Sequence, residues 1–342
     1  MFEERAGTPT ADGYRMPAEW GPHAGCLMAW PTRTELWGDQ LEAATADYAA
    51  VANAIAQFEP VLMVCPPGTA QAVRSRCAAR VTPLELPIDD SWARDSGPAF
   101  VRNASGEVAV VGFGFNAWGN RWHPYADDAA LGRRLAEHLR LPFYAAPLVL
   151  EGGSFFVDGE GTVITTEQCL LNPNRNPSLD REQIAALICE YLGATTVVWL
   201  PWGHSADTGP AGTDGHVDGV LQYVGPAHVM LEQVTDPSSP DAVRGSANLA
   251  ALTTARDAVG RSFRISVLDP GPTATVSYAN HYLANGAVVV PVSGEAADGQ
   301  ALDLLRALHP EREVVPVPGT ALAFGGGGPH CITQQIVAGV KW

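Results

Sequence analysis

A cysteine close to the C-terminal end of the sequence stands in an unusual setting. Cys331 follows four consecutive glycines, Gly325 to Gly328, and then Pro329 and His330. Glycines let the backbone adopt positive φ and approach other groups closely, so a thiol in this position is typical of a nucleophile presented by a loop. The alternative, a buried cysteine that packs as a small hydrophobe, stays open from the residues alone. We expect that packing role for the other five cysteines, Cys26, Cys65, Cys77, Cys169 and Cys189.

A histidine between glycines provides a candidate proton carrier. His216 and Asp218 lie in the segment Gly215 to Val220 and would share one face if that segment forms a strand. Histidine titrates near neutral pH and can donate and accept protons in successive steps. The alternatives are a surface histidine or a zinc site formed by His204, His216 and Asp218. A zinc site usually needs three or four convergent ligands, and no His-x-x-x-His helix is present.

Carboxylates stand at two further points of the chain. Glu151 precedes two glycines after an apolar run, so it could orient a histidine from the end of a strand. Asp90, Trp92 and Asp95 form a dense polar segment with Arg94, in which two acids beside an aromatic ring could receive a planar cation. The alternative is a solvated loop salt-bridged by Arg94. Together with the thiol and the histidine, these groups indicate covalent attack on a small cationic carbon centre.

The composition limits the class of protein and of partner. The chain has 342 residues, 46% of them hydrophobic, and a formal net charge of −16 from 37 acidic and 21 basic residues. An acidic chain of this kind argues against nucleic-acid binding and is compatible with a cationic substrate. No Cys-x-x-Cys pair occurs, no apolar run approaches the roughly 20 residues of a membrane span, and the first residues lack an apolar signal core. We therefore expect a cytoplasmic protein without a membrane segment.

Strand-like and helix-like segments alternate along the whole sequence. Short β-branched runs predict strands, and longer alanine-rich segments with apolar residues at helical spacing predict helices, which together indicate the α/β class. No glycine fingerprint of a nucleotide-binding site is present. The loop of residues 172–177 is rich in turn residues, and we assign it a structural role. The predicted strands are 61–64, 108–111, 162–165, 196–199, 228–231 and 287–290, and the predicted helices are 41–58, 128–140, 179–192 and 299–308.

Six motifs in this order resemble one known family. The chain resembles the agmatine deiminases and the related Porphyromonas-type peptidylarginine deiminases of the guanidine-modifying, or pentein, superfamily. The likeness runs nearly from end to end and, as a set, the motifs are highly specific. They are Met16 to Trp20 with His23 to Cys26, Asp89 to Pro98, Glu151 to Ser154, Leu170 to Pro177, Thr213 to Asp218 and His330 to Gln335.

The resemblance implies a fold and a set of roles. The fold is a five-bladed, pseudo-symmetric α/β propeller of ββαβ repeats around a central active-site channel, in a single catalytic domain over residues 1–342. The implied roles are Cys331 as nucleophile, His216 as acid and base, Glu151 as the carboxylate beside this histidine, and Asp95 and Asp218 as the acids that grip the guanidinium. No metal or organic cofactor is implied, and relatives are often homo-oligomers. Trp92, Asp90, Trp118 and Trp30 are candidates for further substrate contacts, by their chemistry.

The expected reaction is hydrolytic deimination of a small guanidino compound, with agmatine the first candidate substrate. Three departures from the family pattern lie next to the expected site: a longer segment over residues 203–214, Gly219 in place of the usual asparagine, and the segment 324–329 before His330. They leave another guanidino amine or acid, peptidyl-arginine, or amidine transfer to an amine as alternatives. A non-catalytic protein that only binds cations is the alternative from a different class.

Overall fold

The computed structural model of the protein describes residues 2–342, so that only Met1 lies outside it. Within this range strands and helices alternate throughout. The strands are β1 (Glu3–Glu4), β2 (Tyr14–Arg15), β3 (His23–Ala29), β4 (Val61–Cys65), β5 (Val81–Glu85), β6 (Ala99–Asn103), β7 (Val108–Gly114), β8 (Pro142–Val149), β9 (Phe155–Val157), β10 (Thr162–Thr166), β11 (Thr196–Leu200), β12 (Leu221–Gly225), β13 (His228–Glu232), β14 (Arg264–Leu268), β15 (Tyr282–Ala284), β16 (Ala287–Val292), β17 (Glu313–Pro318) and β18 (Thr333–Val337). The α-helices are α1 (Thr34–Trp37), α2 (Leu41–Ile55), α3 (Ala70–Arg76), α4 (Ala93–Ser96), α5 (Ala117–Asn120), α6 (Ala126–Ala129), α7 (Leu131–Leu139), α8 (Glu167–Leu170), α9 (Arg181–Leu192), α10 (Pro240–Thr254), α11 (Ala297–Leu308) and α12 (Thr320–Phe324).

The described strands form five small mixed sheets that share one pattern. In four of them an antiparallel pair is followed, after a helix, by a third strand parallel to the second: β6-β7-β8, β9-β10-β11, β12-β13-β14 and β15-β16-β17. The fifth sheet uses both ends of the chain, because β18 pairs antiparallel with β3, which in turn lies parallel to β4. The chain therefore contains five ββαβ units, and its last strand completes the unit that begins near its N-terminus.

The packing of β4 shows how one strand serves two layers. All five of its residues are buried. Val61, Met63 and Cys65 pack in the cluster that contains helix α2, while Leu62 and Val64 pack against residues of β6, β7 and α7. Such a strand reads as a continuous apolar run because both of its faces are covered. Burial of each of these side chains contributes roughly 1.5–3 kcal/mol to folding.

The strand and helix predictions are confirmed in place and differ at some ends. All six predicted strands are present, and the predicted helices appear as α2, α7, α9 and α11. Helix α9 begins at Arg181 and not at Leu179, because Asp180 caps it in a reciprocal pair of hydrogen bonds with Gln183. The segment 215–220 does not form the strand that would place His216 and Asp218 on one face: it contains a 3₁₀ turn over Val217–Gly219, and β12 starts only at Leu221.

Each of the five units carries a polar residue at the same place, just before the first strand of its antiparallel pair. Asp95 precedes β6, Glu151 precedes β9, Asp218 precedes β12, Asn280 precedes β15 and Cys331 precedes β18, at two to four residues in every case. Corresponding positions of repeated units point to corresponding directions, so the repeat itself gathers residues that are far apart in sequence. Among residues 2–342 no helix is long and apolar enough to cross a membrane.

Candidate active site

These five positions lie at and around the inner end of a cavity of about 630 Å³. His216, Asp218, Asn280 and Cys331 contribute to its lining. Its outer walls come from three segments that connect strands, around residues 204–213, 270–277 and 323–327. Two of these segments are the places where the sequence departs from the family pattern.

The thiol of Cys331 is held by the side chains of two other units. Asn280 Nδ2 lies 3.1 Å from Cys331 Sγ, and the thiol can donate to Asp218 Oδ2 at 3.5 Å. The residue is only 7% exposed. Burial raises the pKa of Cys331 well above its ordinary value, and the negative charges of Asp218 and Asp95 add to this shift. In the free protein Cys331 is therefore a neutral thiol among carboxylates, and not in the exposed, electropositive surroundings that are common for reactive thiols.

The glycine run before Cys331 allows close approach at the thiol. A Cβ at Gly327 would stand 2.5 Å from the Trp92 ring and 3.1 Å from Cys331 Sγ, distances that no side chain tolerates. Of the four glycines, Gly326 alone has a positive φ, of +96°. The loop therefore passes directly over the nucleophile because its residues lack side chains.

The imidazole of His216 lies between two carboxylates without a hydrogen bond to either. Nδ1 is 3.8 Å from Asp95 Oδ1 and Nε2 is 4.0 Å from Glu151 Oε2, and neither ring nitrogen has a partner. Burial alone would lower the pKa of His216, but the charges of Asp95 and Glu151 and the Cys169 thiol outweigh it and raise the pKa well above the usual value. His216 is therefore an imidazolium with N–H donors available to a ligand.

Asp95, Asp218 and His216 surround one point of the cavity floor. A Cβ added at Gly153 would be 2.7 Å from His216 Nδ1, 2.8 Å from Asp218 Oδ2 and 2.9 Å from Asp95 Oδ1. Glycine is required there, because any side chain would fill the space between the three groups. The arrangement leaves room for a small planar cation whose N–H groups face two carboxylates.

The two aspartates differ in their pKa values. Asp95 accepts hydrogen bonds from Trp118 Nε1 and from the Gly153 backbone N–H, both at 2.9 Å. Burial nevertheless raises the pKa of Asp95 to about 6, since the charges of Asp218 and Glu151 reinforce burial and only His216 strongly opposes it. Burial also acts on Asp218, but the hydrogen bond from His330 Nδ1 at 2.8 Å and the charge of that imidazolium keep the pKa of Asp218 below its usual range.

Glu151 and Arg175 form a fully buried ion pair behind His216. Arg175 Nε donates to Glu151 Oε1 at 2.6 Å, and both side chains have no exposed surface. Arg175 Nη1 also donates to Asp214 Oδ2 at 2.8 Å. This leaves Glu151 Oε2 without a partner and facing His216. The sequence analysis treated the loop of Arg175 as structural, and an arginine between two asparagines was the one signal that it carried chemistry.

A second charged network supports Asp218 from behind. His330 lies between Asp218 and Glu19, with Nε2 3.0 Å from Glu19 Oε2, and Arg94 Nη2 donates to the same Glu19 oxygen at 3.0 Å. Arg94 is thus not the solvated salt-bridging side chain of the alternative interpretation but a buried support. Sequence reasoning also missed Asn280, which lies in a segment without acids, glycines or a motif.

The remaining predicted contacts take different places. Trp92 stacks on Trp37 with ring centroids 5.7 Å apart, and its ring edge lies close to Gly327 over the thiol. Asp90 receives Arg33 Nε at 2.8 Å and the Ser91 N–H, so its carboxylate is engaged in a buried ion pair. A substrate contact by Asp90 stays a prediction.

One group of three described residues could hold a metal ion. Ligand atoms of Glu151, Cys169 and His216 lie within 4.8 Å of one another, and all three residues are buried. The Arg175 guanidinium on Glu151 opposes a further cation at this point, since it already balances the carboxylate. The combination of His204, His216 and Asp218 considered from the sequence is not the group that the fold assembles, because His204 lies between Glu232 and Asp241.

Known proteins of the same architecture match the chain over nearly its full length. An agmatine deiminase from Pseudomonas fluorescens (strain SBW25) is 42% identical and covers 96% of each chain. The solved structure of the agmatine deiminase of Enterococcus faecalis superposes with a TM-score of 0.92 at 33% identity, over 98% of this chain and 99% of that one. The C. jejuni agmatine deiminase, at 22% identity and a TM-score of 0.85, shows the same fold and covers 96% of this chain and 97% of its own.

A family model describes the same span. The model of the Porphyromonas-type peptidyl-arginine deiminases matches residues 15–336, which include every residue placed around the cavity floor. The resemblance read from the six motifs is thereby confirmed, and the chain belongs to the Porphyromonas-type peptidyl-arginine deiminase family.

Proposed function

We propose that this protein is an agmatine deiminase, which hydrolyses agmatine to N-carbamoylputrescine and ammonia. One observation carries the proposal: a thiol, an imidazolium and two carboxylates from three different units face a single point large enough for a guanidinium. The relatives named agmatine deiminase, at up to 42% identity over almost the whole chain, support the same reaction.

Asp95 and Asp218 act on the substrate before any bond is made. Their carboxylates accept the N–H groups of the guanidinium, which fixes its plane and places its central carbon against Cys331 Sγ. The bound cation also offsets the two negative charges that hold the pKa of Cys331 high. Binding of the substrate therefore promotes formation of the thiolate that attacks it.

The first half of the reaction forms a covalent intermediate. A bond forms between Cys331 Sγ and the guanidinium carbon, and the bond from that carbon to one terminal nitrogen breaks. The proton of the thiol passes to solution as the thiolate forms. His216 then donates its proton to the departing nitrogen, so that ammonia leaves, His216 becomes neutral and a thiouronium remains on Cys331. Glu151, held by Arg175, keeps the imidazole charged and in place.

The second half restores the enzyme. His216, neutral at this stage, takes a proton from water, and the oxygen adds to the thiouronium carbon. The carbon–sulfur bond then breaks and the hydroxyl proton of the adduct passes to the departing sulfur, so the urea-type product leaves with Cys331 again a thiol and His216 again charged. Asn280, at 3.1 Å from Sγ, donates a hydrogen bond to the thiolate as it departs.

The test is ammonia release from agmatine, free arginine and a peptidyl-arginine by the wild type and by Cys331→Ala. We expect turnover of agmatine, lowered by several orders of magnitude in the variant. Turnover of another compound with agmatine inert would keep the chemistry and refute the substrate. Consumption of agmatine without ammonia release, with its parent diamine set free only when an amine acceptor is added, would indicate amidine transfer instead.

The proposal extends to the arrangement of the whole chain. Five ββαβ units that carry Asp95, Glu151, Asp218, Asn280 and Cys331 at corresponding places support a five-bladed, pseudo-symmetric propeller and a single catalytic domain over residues 1–342. The six free cysteines support a reducing compartment such as the cytoplasm.

A further inference from the structure

The outer part of the cavity contains a charged cluster that the reaction does not use. Its members are His204, Glu232 at the end of β13, and Asp241 in the first turn of α10. All three line the same cavity as Cys331. We asked which part of a substrate this cluster could contact.

Glu232 has one carboxylate oxygen with partners and one without. Oε1 accepts the Ala279 backbone N–H at 2.7 Å and lies 3.2 Å from Ser277 Oγ. Oε2 is buried and has no hydrogen-bond partner, in a side chain that is 3% exposed. A buried, unpartnered carboxylate oxygen is costly unless a donor reaches it. In the ligand-free protein the Glu232 carboxylate therefore lacks one donor.

The nearby cation does not supply this donor. His204 Nε2 is 3.8 Å from Glu232 Oε2 and Nδ1 is 3.8 Å from Asp241 Oδ1, both too long for hydrogen bonds. Burial opposes protonation of His204, but Asp241 and Glu232 outweigh it and raise its pKa to about 10. One imidazolium thus stands between two carboxylates, which leaves the cluster with a net charge of −1.

The other carboxylates in this part of the cavity are already satisfied. Asp241 accepts both the backbone N–H and the hydroxyl of Ser205. Asp207 accepts the hydroxyl of Thr213 and the backbone N–H of Gly215. Glu232 is therefore the acid on this wall with an oxygen still available.

The cluster is connected to the guanidinium position by a few residues, so that a short substrate tail could span the two. Gly219, which follows Asp218 directly, has its carbonyl oxygen 2.9 Å from Ser277 Oγ, and Ser277 in turn contacts Glu232. A Cβ at Gly219 would lie 3.4 Å from His204 Cδ2, in ordinary van der Waals contact, so His204 borders the residue that follows Asp218.

We propose that Glu232 Oε2, in the cluster with His204 and Asp241, receives the remote ammonium of the substrate and selects guanidino amines over guanidino acids. The inference rests on the proposed function, because it assumes that the guanidinium is bound at Asp95 and Asp218. An ammonium supplies the missing donor and neutralises the net charge of the cluster. A remote carboxylate would meet Glu232 and Asp241 as like charges.

The test uses three substrates of matched length: agmatine, pentylguanidine and 5-guanidinopentanoate. They share the guanidinium and four methylenes and differ in a terminal ammonium, methyl or carboxylate. We expect Glu232→Gln to lower kcat/KM for agmatine about ten- to a hundredfold and to change that for pentylguanidine less than about threefold. The matched control is Asp236→Asn, which removes one half-buried charge from the same β13–α10 connection outside the cavity lining and is expected to change neither.

Two further measurements test the inference. The ratio of kcat/KM for agmatine to kcat/KM for pentylguanidine does not depend on how much of the Glu232→Gln variant is folded. An unchanged ratio would therefore overturn the inference, while turnover of agmatine by the wild type would still support the proposed function. His204→Ala should change the ratio in the opposite direction, toward agmatine, because the cluster would gain a net negative charge. A wild type inert toward agmatine would overturn the proposed function, and the inference with it.

Discussion

The protonation states of the side chains around Cys331 are arranged for a cation that is absent from the free protein. The thiol is neutral, His216 is charged, and Asp95 has a pKa of about 6 that lies close to working pH. A guanidinium shifts the Cys331 thiol and Asp95 in the productive direction, since positive charge stabilises both the carboxylate and the thiolate. The reactivity of Cys331 is therefore conditional on occupancy, which protects the free enzyme from adventitious alkylation.

The pKa of Asp95 predicts an acid limit to activity. Its folded-state pKa is raised, so the carboxyl group is neutral below about pH 6 and then offers the guanidinium one charge fewer. We expect kcat/KM for agmatine, which reports groups of the free enzyme, to fall about tenfold per pH unit below pH 6. Steady-state ammonia release across pH 4.5 to 8 measures this limb.

Two variants identify the residue responsible. Asp95→Asn should show low activity and no limb near pH 6. Asp90 also has a pKa raised to about 6 by burial, against the opposing charge of Arg33, so Asp90→Asn decides between the two acids. If the limb disappears in Asp90→Asn and remains in Asp95→Asn, the assignment to Asp95 is wrong.

At the scale of elements, the site residues lie on loops, and buried ion pairs fix the positions of these loops. The connection of residues 172–177 reaches the site only through Arg175, which joins Glu151 to Asp214. Removing one partner of a buried ion pair leaves the other charge uncompensated, which costs far more than the pair contributes as a whole. The loop is therefore fixed by charge more than by apolar packing.

The ion pair of Arg175 with Glu151 predicts that substitutions of two arginines in neighbouring segments differ in their effect on stability. Arg175→Gln should lower the free energy of unfolding by about 3–5 kcal/mol, because Glu151 stays buried without its cation. Arg181→Gln, which breaks the exposed pair with Glu167, should change it by less than about 1 kcal/mol. Urea denaturation followed by far-ultraviolet circular dichroism measures both, and equal shifts would contradict the argument.

The sequence predicted the strands and helices better than it predicted which side chains contact one another at the site. Apolar runs placed six strands and four helices, because local periodicity reflects burial of a face. A strand was one possibility for the segment around His216, but its residues form a 3₁₀ turn before β12 begins. Arg175, Asn280, Glu19 and Glu232 were not anticipated as a supporting set, since each acquires its role from residues of other units.

At the scale of the whole molecule, repetition explains how distant residues meet. Asp95, Glu151, Asp218, Asn280 and Cys331 occupy equivalent places in five units, although no repeat is visible in the residues themselves. Asn280 is the member that lacks a motif, and only the structural repeat reveals it.

A site built from all five units predicts cooperative unfolding. No unit can leave without opening the cavity and exposing buried charge, so the chain should unfold in one transition despite its 342 residues. Fluorescence of the nine tryptophans and circular dichroism should give coincident urea midpoints. Separate midpoints would contradict a single catalytic domain.

The pairing of β18 with β3 also has a consequence for protein synthesis. The ribosome makes the partner strand first and the nucleophile together with the closing strand last, since Cys331 stands two residues before β18. At about 5–20 residues per second, the nascent chain spends roughly a quarter of a minute or more with an open sheet edge at β3. A chain cut short before β18 lacks both the edge strand and the thiol, so incomplete translation products are inactive and expose a strand that other chains can pair with.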